Sequence, residues 1–325
     1  MNFTSLRYFL EVVAEGSVTK AAQKLYISQQ SLSEHIARLE SEYGVKLFER
    51  TPRLHLTYAG FRLQKLAEQV LSLDVQIQNE LSDIANEHKG TLSVGITPTH
   101  GRILMPWIWE EFHRRFPGTE LHITVKNSQD LIALLRSRNI DISCSFISKI
   151  SSLQFEPVGI IKERFCVVAS QKIFATYLGI SDPSAGGVLD PRILNDCPFL
   201  MAARGSRLRN LADLYLGQVG IQPVIALETS DLEMNARFCG HGFGAFFCNE
   251  LFANYIIRSY VHEQTLFPIL IDGFQEDLDY SICYHRDQYL SDAARAFIDI
   301  TKKVATQLTL PTTRSAVLRF DNLEI

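Results

Sequence analysis

Gln29, Gln30, Ser31, Ser33, Glu34 and Arg38 stand close together behind Ser28, and side chains of these types read nucleotide base edges. A glutamine amide pairs bidentately with adenine, a glutamate accepts from cytosine N4, and a guanidinium meets guanine. Upstream, Ser17, Thr19 and Lys20 combine hydroxyls, an ammonium and the free N–H groups of a helix start, which suits a phosphate. Arg50 and Arg53 flank Pro52, where a guanidinium can meet phosphate or enter a minor groove. The bland alternative for each is a helix cap or a solvated charge. It weighs most on Glu34, whose carboxylate nearby phosphates repel unless it meets a base donor.

Three helices must hold these groups. Leu6, Phe9, Leu10 and Val13 predict the first over 4–14. Val18, Ala21, Ala22 and Leu25 predict the second behind a Ser17 cap, the alanines allowing close approach. In the third, capped by Ser28, Leu32, Ile36 and Leu39 share one face at about 100° per residue while Gln30, Ser33, Glu34, Ala37 and Arg38 share the other. Gly44 ends that helix, and two strand-like runs reversing near Pro52 predict a wing. Thr57 then caps a long helix to about His88, in which Leu63, Leu66, Val70, Leu73 and Ile77 form a heptad seam for a partner helix. The alternation slips at Leu81 and Ile84, so the seam is short. Its alternative is packing of the helix on its own C-terminal domain.

Charge divides the chain in the same place. Residues 1–65 carry nine Lys/Arg against six Asp/Glu, a balance of +3, so a total of −4 leaves −7 for the remainder, and only the N-terminal part suits phosphate. No apolar run reaches membrane-spanning length and the N-terminus lacks the order of a secretory signal, so a cytoplasmic protein with no membrane association is expected. The six cysteines are scattered without a C-x-x-C pair and read as buried thiols; Cys239-Gly240-His241 is too little for zinc, and no metal or cofactor is expected. An enzyme is disfavoured: no G-x-S-x-G, no Walker loop and no G-x-G-x-x-G after a strand occurs, and Gly240-His241-Gly242-Phe243-Gly244 follows a helix. A solute carrier would need an export signal. From Lys89 onward, strand-like runs alternate with helical ones, among them a strand over 92–97 and a helix from about Arg102, which predicts parallel sheets covered on both faces.

The whole resembles the LysR-type transcriptional regulators over residues 1 to about 305. The resemblance rests on Phe9-Leu10 with Val13, the stretch Gly16 to Leu25, Ser28-Gln29-Gln30-Ser31-Leu32-Ser33, Leu39-Glu40, Gly44-Val45-Lys46-Leu47-Phe48-Glu49-Arg50 and Leu56-Thr57-Tyr58-Ala59-Gly60. Leu104-Met105-Pro106, Phe112 to Pro117, Asp141-Ile142 and Gly240 to Gly244 add weaker matches. It implies an α/β multidomain chain: a winged helix-turn-helix over 1–58, a linker and dimerisation helix over 59–89, and an effector domain over 90–305 similar to type 2 periplasmic binding proteins. That domain would hold two α/β subdomains, the first about 90–161 and 268–305, the second about 162–267, with 306–325 as a loosely attached tail. The implied partners are double-stranded promoter DNA, a small effector in the cleft, a second copy in a homodimer or homotetramer, and RNA polymerase. The alternative function is a nucleoid-type DNA binder without ligand response. Glu34 departs from the family, where a basic or neutral residue is usual.

Within the effector domain, hydroxyls, an imidazole and free N–H groups converge at strand ends. Pro98, Thr99, His100 and Gly101 end the first strand, Asn127 and Ser128 the next, and Ser145 and Phe146 the third. Arg204 and Ser206, then Thr229 and Ser230, precede helices of the other subdomain, and Phe247 ends a strand there. Arg204 suits a carboxylate, with an apolar portion near Phe146. The same residue types also serve as caps and turns.

Overall fold

The computed structural model describes residues 2–49, 53–85, 90–146, 154–183, 187–259, 266–272, 279–309 and 316–319. Its N-terminal head is built from α1 (Phe3–Glu15), α2 (Val18–Lys24) and α3 (Gln29–Tyr43). Asn2, Ser17 and Ser28 cap them through side-chain oxygens that accept from Thr4, Lys20 and Ser31 N–H. Leu6, Phe9, Val12, Ala21, Ala22, Leu32, Ile36 and Leu39 are buried together, joined by Leu47 and Phe48. Strands β1 (Phe48–Glu49) and β2 (His55–Leu56) pair antiparallel as the wing.

Helix α4 (Tyr58–Ile84) leaves the wing behind its Thr57 cap. A Cβ on Gly60 would lie 2.1 Å from the Leu47 carbonyl oxygen, so only glycine lets this helix approach the wing so closely. Of the expected seam, Leu63 and Val70 are half-buried against the head core, while Leu66, Leu73 and Ile77 are exposed, with Leu81 beside them. The outward stripe is therefore rotated away from the expected one, because the head covers one edge of it.

In the C-terminal half, β3 (Gly90–Ile96), α5 (Pro98–Arg115), β4 (Thr119–Val125), α6 (Ser128–Arg136), β5 (Ile142–Phe146) and β6 (Phe155–Lys162) precede the crossing to β7 (Phe165–Ser170) and α7 (Gln171–Ile173). Then come β8 (Gly187–Leu189), β9 (Pro198–Ala202), α8 (Arg207–Gln218), β10 (Val224–Thr229), α9 (Leu232–Gly240), β11 (Phe246–Asn249), α10 (Glu250–Ser259) and β12 (Leu266–Asp272). The chain ends with β13 (Asp279–His285), α11 (Asp292–Thr309) and β14 (Ala316–Arg319). One sheet has the order β4-β3-β5-β13-β6, a second β11-β7-β12-β14-β8, and β10 pairs with β9.

Three expectations change. The sheets are mixed, not parallel: β13 runs antiparallel to β5 and β6, and β7 antiparallel to β11 and β12. Strands that cross between subdomains and return must meet head to tail, which a purely alternating helix–strand reading does not anticipate. The return crossing follows β12, which belongs to the second sheet, so the boundary lies beyond 268. The tail is not loose over 316–319, where β14 inserts between β12 and β8, parallel to both.

The linker helix is fastened to the effector domain by polar contacts. Asn79 Nδ2 donates to the Thr91 carbonyl (2.9 Å) while its Oδ1 accepts from Thr91 N–H (3.2 Å), imitating a strand neighbour. Asp83 Oδ2 accepts from Asp292 N–H (2.9 Å) and Tyr289 Oη (3.2 Å) at the start of α11. Ending the chain after Thr309 should lower stability by roughly 1–3 kcal/mol and speed amide exchange in β12, which shares its ladder with β14. Unchanged exchange in β12 would show that β14 does not pair there in solution.

Candidate DNA-reading surface and effector cleft

The outer face of α3 carries Gln29, Gln30, Glu34 and Arg38, all exposed, with Ser31 and Ser33 half-buried at its edge. Gln30 Nε2 donates to Glu34 Oε1 across one turn (3.2 Å), so the unusual carboxylate holds the neighbouring amide in place and leaves its oxygen outward. Thr19 and Lys20 are exposed in the first turn of α2, and Ser17 is engaged as its cap. Arg53 is exposed on the wing, and Arg50 lies outside the described residues. Tyr26, in the turn between α2 and α3, has φ 54° and is 96% exposed.

Sequence reasoning missed the residue that sets the wing against α3. Glu40 Oε1 accepts from the N–H groups of Leu47 (2.8 Å) and Phe48 (3.4 Å), and Lys46 Nζ donates to its Oε2 (2.8 Å). Burial alone would raise this carboxyl, but Lys46 and the two N–H groups hold it below its ordinary value. Thr57 Oγ1 in turn donates to the Lys46 carbonyl (2.7 Å) and accepts from Gly60 N–H (2.9 Å), joining wing and linker helix.

The second site is a cavity of about 450 Å³ between the two sheets of the effector domain. Pro98, Thr99, His100, Phe146, Ser206, Thr229 and Ser230 line it as expected, together with Arg102, Phe165, Arg207, Leu208, Leu211, Asp231, Leu232, Asn235, Asn249 and Phe252. Its wall is largely hydrocarbon, with polar groups supplied where α5, α8 and α9 begin. Ser206 caps α8 and Asp231 caps α9 through side-chain hydrogen bonds, but Thr97 makes none to α5. The Thr97 hydroxyl instead faces His100 Nδ1 (2.9 Å) and donates to Tyr280 Oη (3.2 Å), which donates to the Cys144 carbonyl (2.7 Å). Thr97 N–H donates to the Cys144 carbonyl (3.3 Å), Pro98 has none and Gly101 N–H donates to the Thr97 carbonyl (2.8 Å), so the N–H groups of Thr99 and His100, which no helix satisfies internally, are those the missing cap leaves at the cavity.

Six expected residues take other positions. Gly101 is buried in the first turn of α5, which starts at Pro98 and not near Arg102, because proline is favoured as the first helical residue. Asn127 caps α6, Ser128 Oγ accepts from Phe146 N–H (3.3 Å), and Ser145 is buried against Ser143. Arg204 turns outward at Gly205 (φ 82°), where its N–H donates to Glu228 Oε1 (3.3 Å); Arg207 stands in its place, its guanidinium 5.1 Å from the Phe146 ring centroid. Phe247 is stacked between Phe165 and Phe199 in the second subdomain's core, since alternate strand residues face opposite sides and its neighbour Phe246 takes the other.

Two matches cover nearly the whole chain. Residues 3–61 match the model of bacterial regulatory helix-turn-helix proteins of the lysR family, and residues 85–306 match the LysR substrate binding domain. The chain belongs to the LysR family of transcriptional regulators. It is a DNA-binding, ligand-responsive regulator and not an enzyme. It is 26% identical over 308 residues to the HTH-type transcriptional regulator BsdA of Bacillus subtilis (strain 168), covering 92% of this chain and 100% of that one. It is 24% identical over 293 residues to the HTH-type transcriptional activator CmpR of Synechocystis sp., covering 90% and 91%. Among solved structures, full-length CbnR complexed with its target DNA shares the fold at a TM-score of 0.64, with 21% identity over 94% of this chain and 100% of that one.

Among the described residues no helix of this LysR-type chain is long and apolar enough to cross a membrane. All six cysteines are buried and free, and burial pushes Cys197 and Cys283 up to about 12 and Cys144 and Cys239 higher still, so these four stay unreactive thiols.

Two outcomes follow for the head. Gln30→Ala should relax sequence choice by ~1–3 kcal/mol at the base it reads, while Arg53→Ala should weaken all sequences alike and flatten the salt dependence; equal losses on every duplex for both variants would refute this division. Because the Glu40 carboxyl is depressed, its stabilisation is fully present at neutral pH and fades as the pH falls through that lowered value. Glu40→Gln should therefore cost roughly 1.5–3 kcal/mol at neutral pH and remove part of the acid sensitivity of Leu47 and Phe48 amide exchange.

Proposed function

We propose that the cleft takes a small carboxylate with an apolar body and that its occupancy alters how a dimer or tetramer of this chain engages promoter DNA. The single observation carrying this reading is the diverted Thr97 hydroxyl, which leaves the start of an 18-residue helix uncapped at a cavity wall. A helix N-terminus with unsatisfied N–H groups favours an anion by charge and by geometry. Arg207 supplies a guanidinium at the same cavity, and Phe146, Phe165, Phe252, Leu208 and Leu232 supply the apolar wall. Arg102, whose Nη1 lies 2.7 Å from Glu233 Oε1, lines the same cavity.

In this reading Gln29, Gln30, Glu34 and Arg38 meet base edges, and Thr19, Lys20 and the wing arginines meet phosphates. The exposed stripe Leu66, Leu73 and Ile77 seats a second copy. The protein would act in the cytoplasm, beside RNA polymerase at the promoter.

Calorimetric titration with a panel of small organic acids and their methyl esters tests the cleft. Acids should bind and their esters at least about tenfold more weakly, a difference of about 1.4 kcal/mol, and Arg207→Ala with Thr99→Ala should abolish the preference. Esters that bind as well as acids, or acid binding untouched by the double variant, would refute the carboxylate reading.

A further inference from the structure

His100 and Glu163 have side chains only 2% and 0% exposed, with Nε2 and Oε1 2.8 Å apart. Glu163 lies in the short connection by which the chain passes from β6 in the first sheet to β7 in the second. Its other oxygen, Oε2, accepts from Asn249 Nδ2 at the end of β11, and Asn249 Oδ1 accepts from Phe252 N–H (3.3 Å). Immediately beyond, the Arg164 guanidinium donates through Nε to Glu250 Oε2 (2.8 Å) and through Nη2 to Glu250 Oε1 (2.5 Å), and Glu250 N–H donates to the Arg164 carbonyl (2.9 Å). One buried carboxylate therefore ties the first turn of α5, on the ligand cavity, to the far sheet.

The direction of nearly every hydrogen bond in this line is fixed. Tyr280 gives its hydrogen to the Cys144 carbonyl and accepts from Thr97, so Thr97 can only accept from His100 Nδ1–H. Phe252 N–H fixes the Asn249 oxygen, so its amide nitrogen faces Glu163. With Nδ1 facing Thr97, the other ring nitrogen, Nε2, is left to hydrogen-bond Glu163 Oε1 (2.8 Å). The His100 ring stacks on Tyr280 at 3.5 Å, which holds it in the plane this requires.

We propose that Glu163 is a positioning residue that latches the cleft: through His100 and Asn249 it fixes the first turn of α5 against β11. A ligand seated on that turn then acts on the second subdomain by moving His100. This last step rests on the cavity being the effector site; the latch itself does not.

Amide exchange of the full-length, ligand-free protein tests the latch. Glu163→Ala should speed exchange at least about tenfold in both 101–104 and 249–252, two segments far apart in sequence. Glu163→Gln can donate to an unprotonated His100 Nε2 and still accept from Asn249, so it should remain near wild type. Asn249→Ala serves as the second disrupting variant if Glu163→Ala does not fold, with the same joint loosening expected. Faster exchange confined to the neighbours of the substituted residue, or Glu163→Gln loosening both segments as much as Glu163→Ala, would overturn the proposal. No ligand enters this measurement, so its failure leaves the carboxylate reading untouched, and failure of the titration leaves the latch untouched.

Discussion

A carboxylate without solvent contact sits where the chain passes from one subdomain to the other, and burying it is costly unless every oxygen is engaged. The compensation comes from both sides of the crossing, from His100 on α5 and from Asn249 on β11. That demand spreads outward. His100 needs an acceptor for its other nitrogen, Thr97 provides it, and Thr97 is then lost as a helix cap. The opening at the start of α5 is therefore a consequence of satisfying Glu163. Around this polar line the packing is apolar and continuous: Val94, Ile96 and Cys144 of the first sheet share one cluster with Cys166, Val168 and Phe246 of the second. The subdomains are joined by hydrocarbon on one side of the crossing and separated by the cavity on the other.

The head obeys a similar rule on a smaller scale. Leu32, Ile36 and Leu39 of α3 are consumed by the three-helix core, which leaves the outer face of α3 polar. Glu40 and Thr57 fasten wing to recognition helix and wing to linker helix with hydrogen bonds that reach the backbone of residues 46–48. The exposed polar groups of α3 and of the wing are thus fixed relative to one another by contacts on the inner side.

Helical periodicity with caps made α1 to α4 legible, because Ser17, Ser28 and Thr57 are short oxygen-bearing residues directly ahead of apolar spacing. Strand ends rich in hydroxyls pointed to Thr99, His100, Ser206, Thr229 and Ser230, which the fold gathers around one cavity. Phe247 took another place because a strand's alternation has a phase that nothing local reveals: Phe246 and Phe247 enter clusters on opposite faces of β11, and neither lines the cavity. Arg204 failed for a related reason: the guanidinium that lines the cavity is inside the helix, and a left-handed glycine turns the earlier one away. Glu163 was invisible because its partners are 63 and 86 residues distant. A Lys-Glu-Arg run between two apolar runs reads as an exposed turn until the fold brings His100 and Asn249 to its middle residue.

The cavity and the DNA-reading surface are connected by a short mechanical route. β3 begins where Asn79 of the linker helix grips both polar atoms of Thr91, and it runs straight to Thr97 at the start of α5. Seven extended residues span about 23 Å and scarcely stretch, so the ligand-facing turn and the linker joint are two ends of one rod. The joint is made of hydrogen bonds, with Asp83 near the end of α4, bonded to Tyr289 and Asp292, as its second point. From Asn79 back to its start at Tyr58, helix α4 covers about 32 Å. A tilt of about 10° at the joint would carry the far end of this helix by roughly 5 Å, between one and two base-pair steps. The lever arm therefore converts a displacement too small to disturb the effector domain's packing into one large enough to change which bases two heads can reach together.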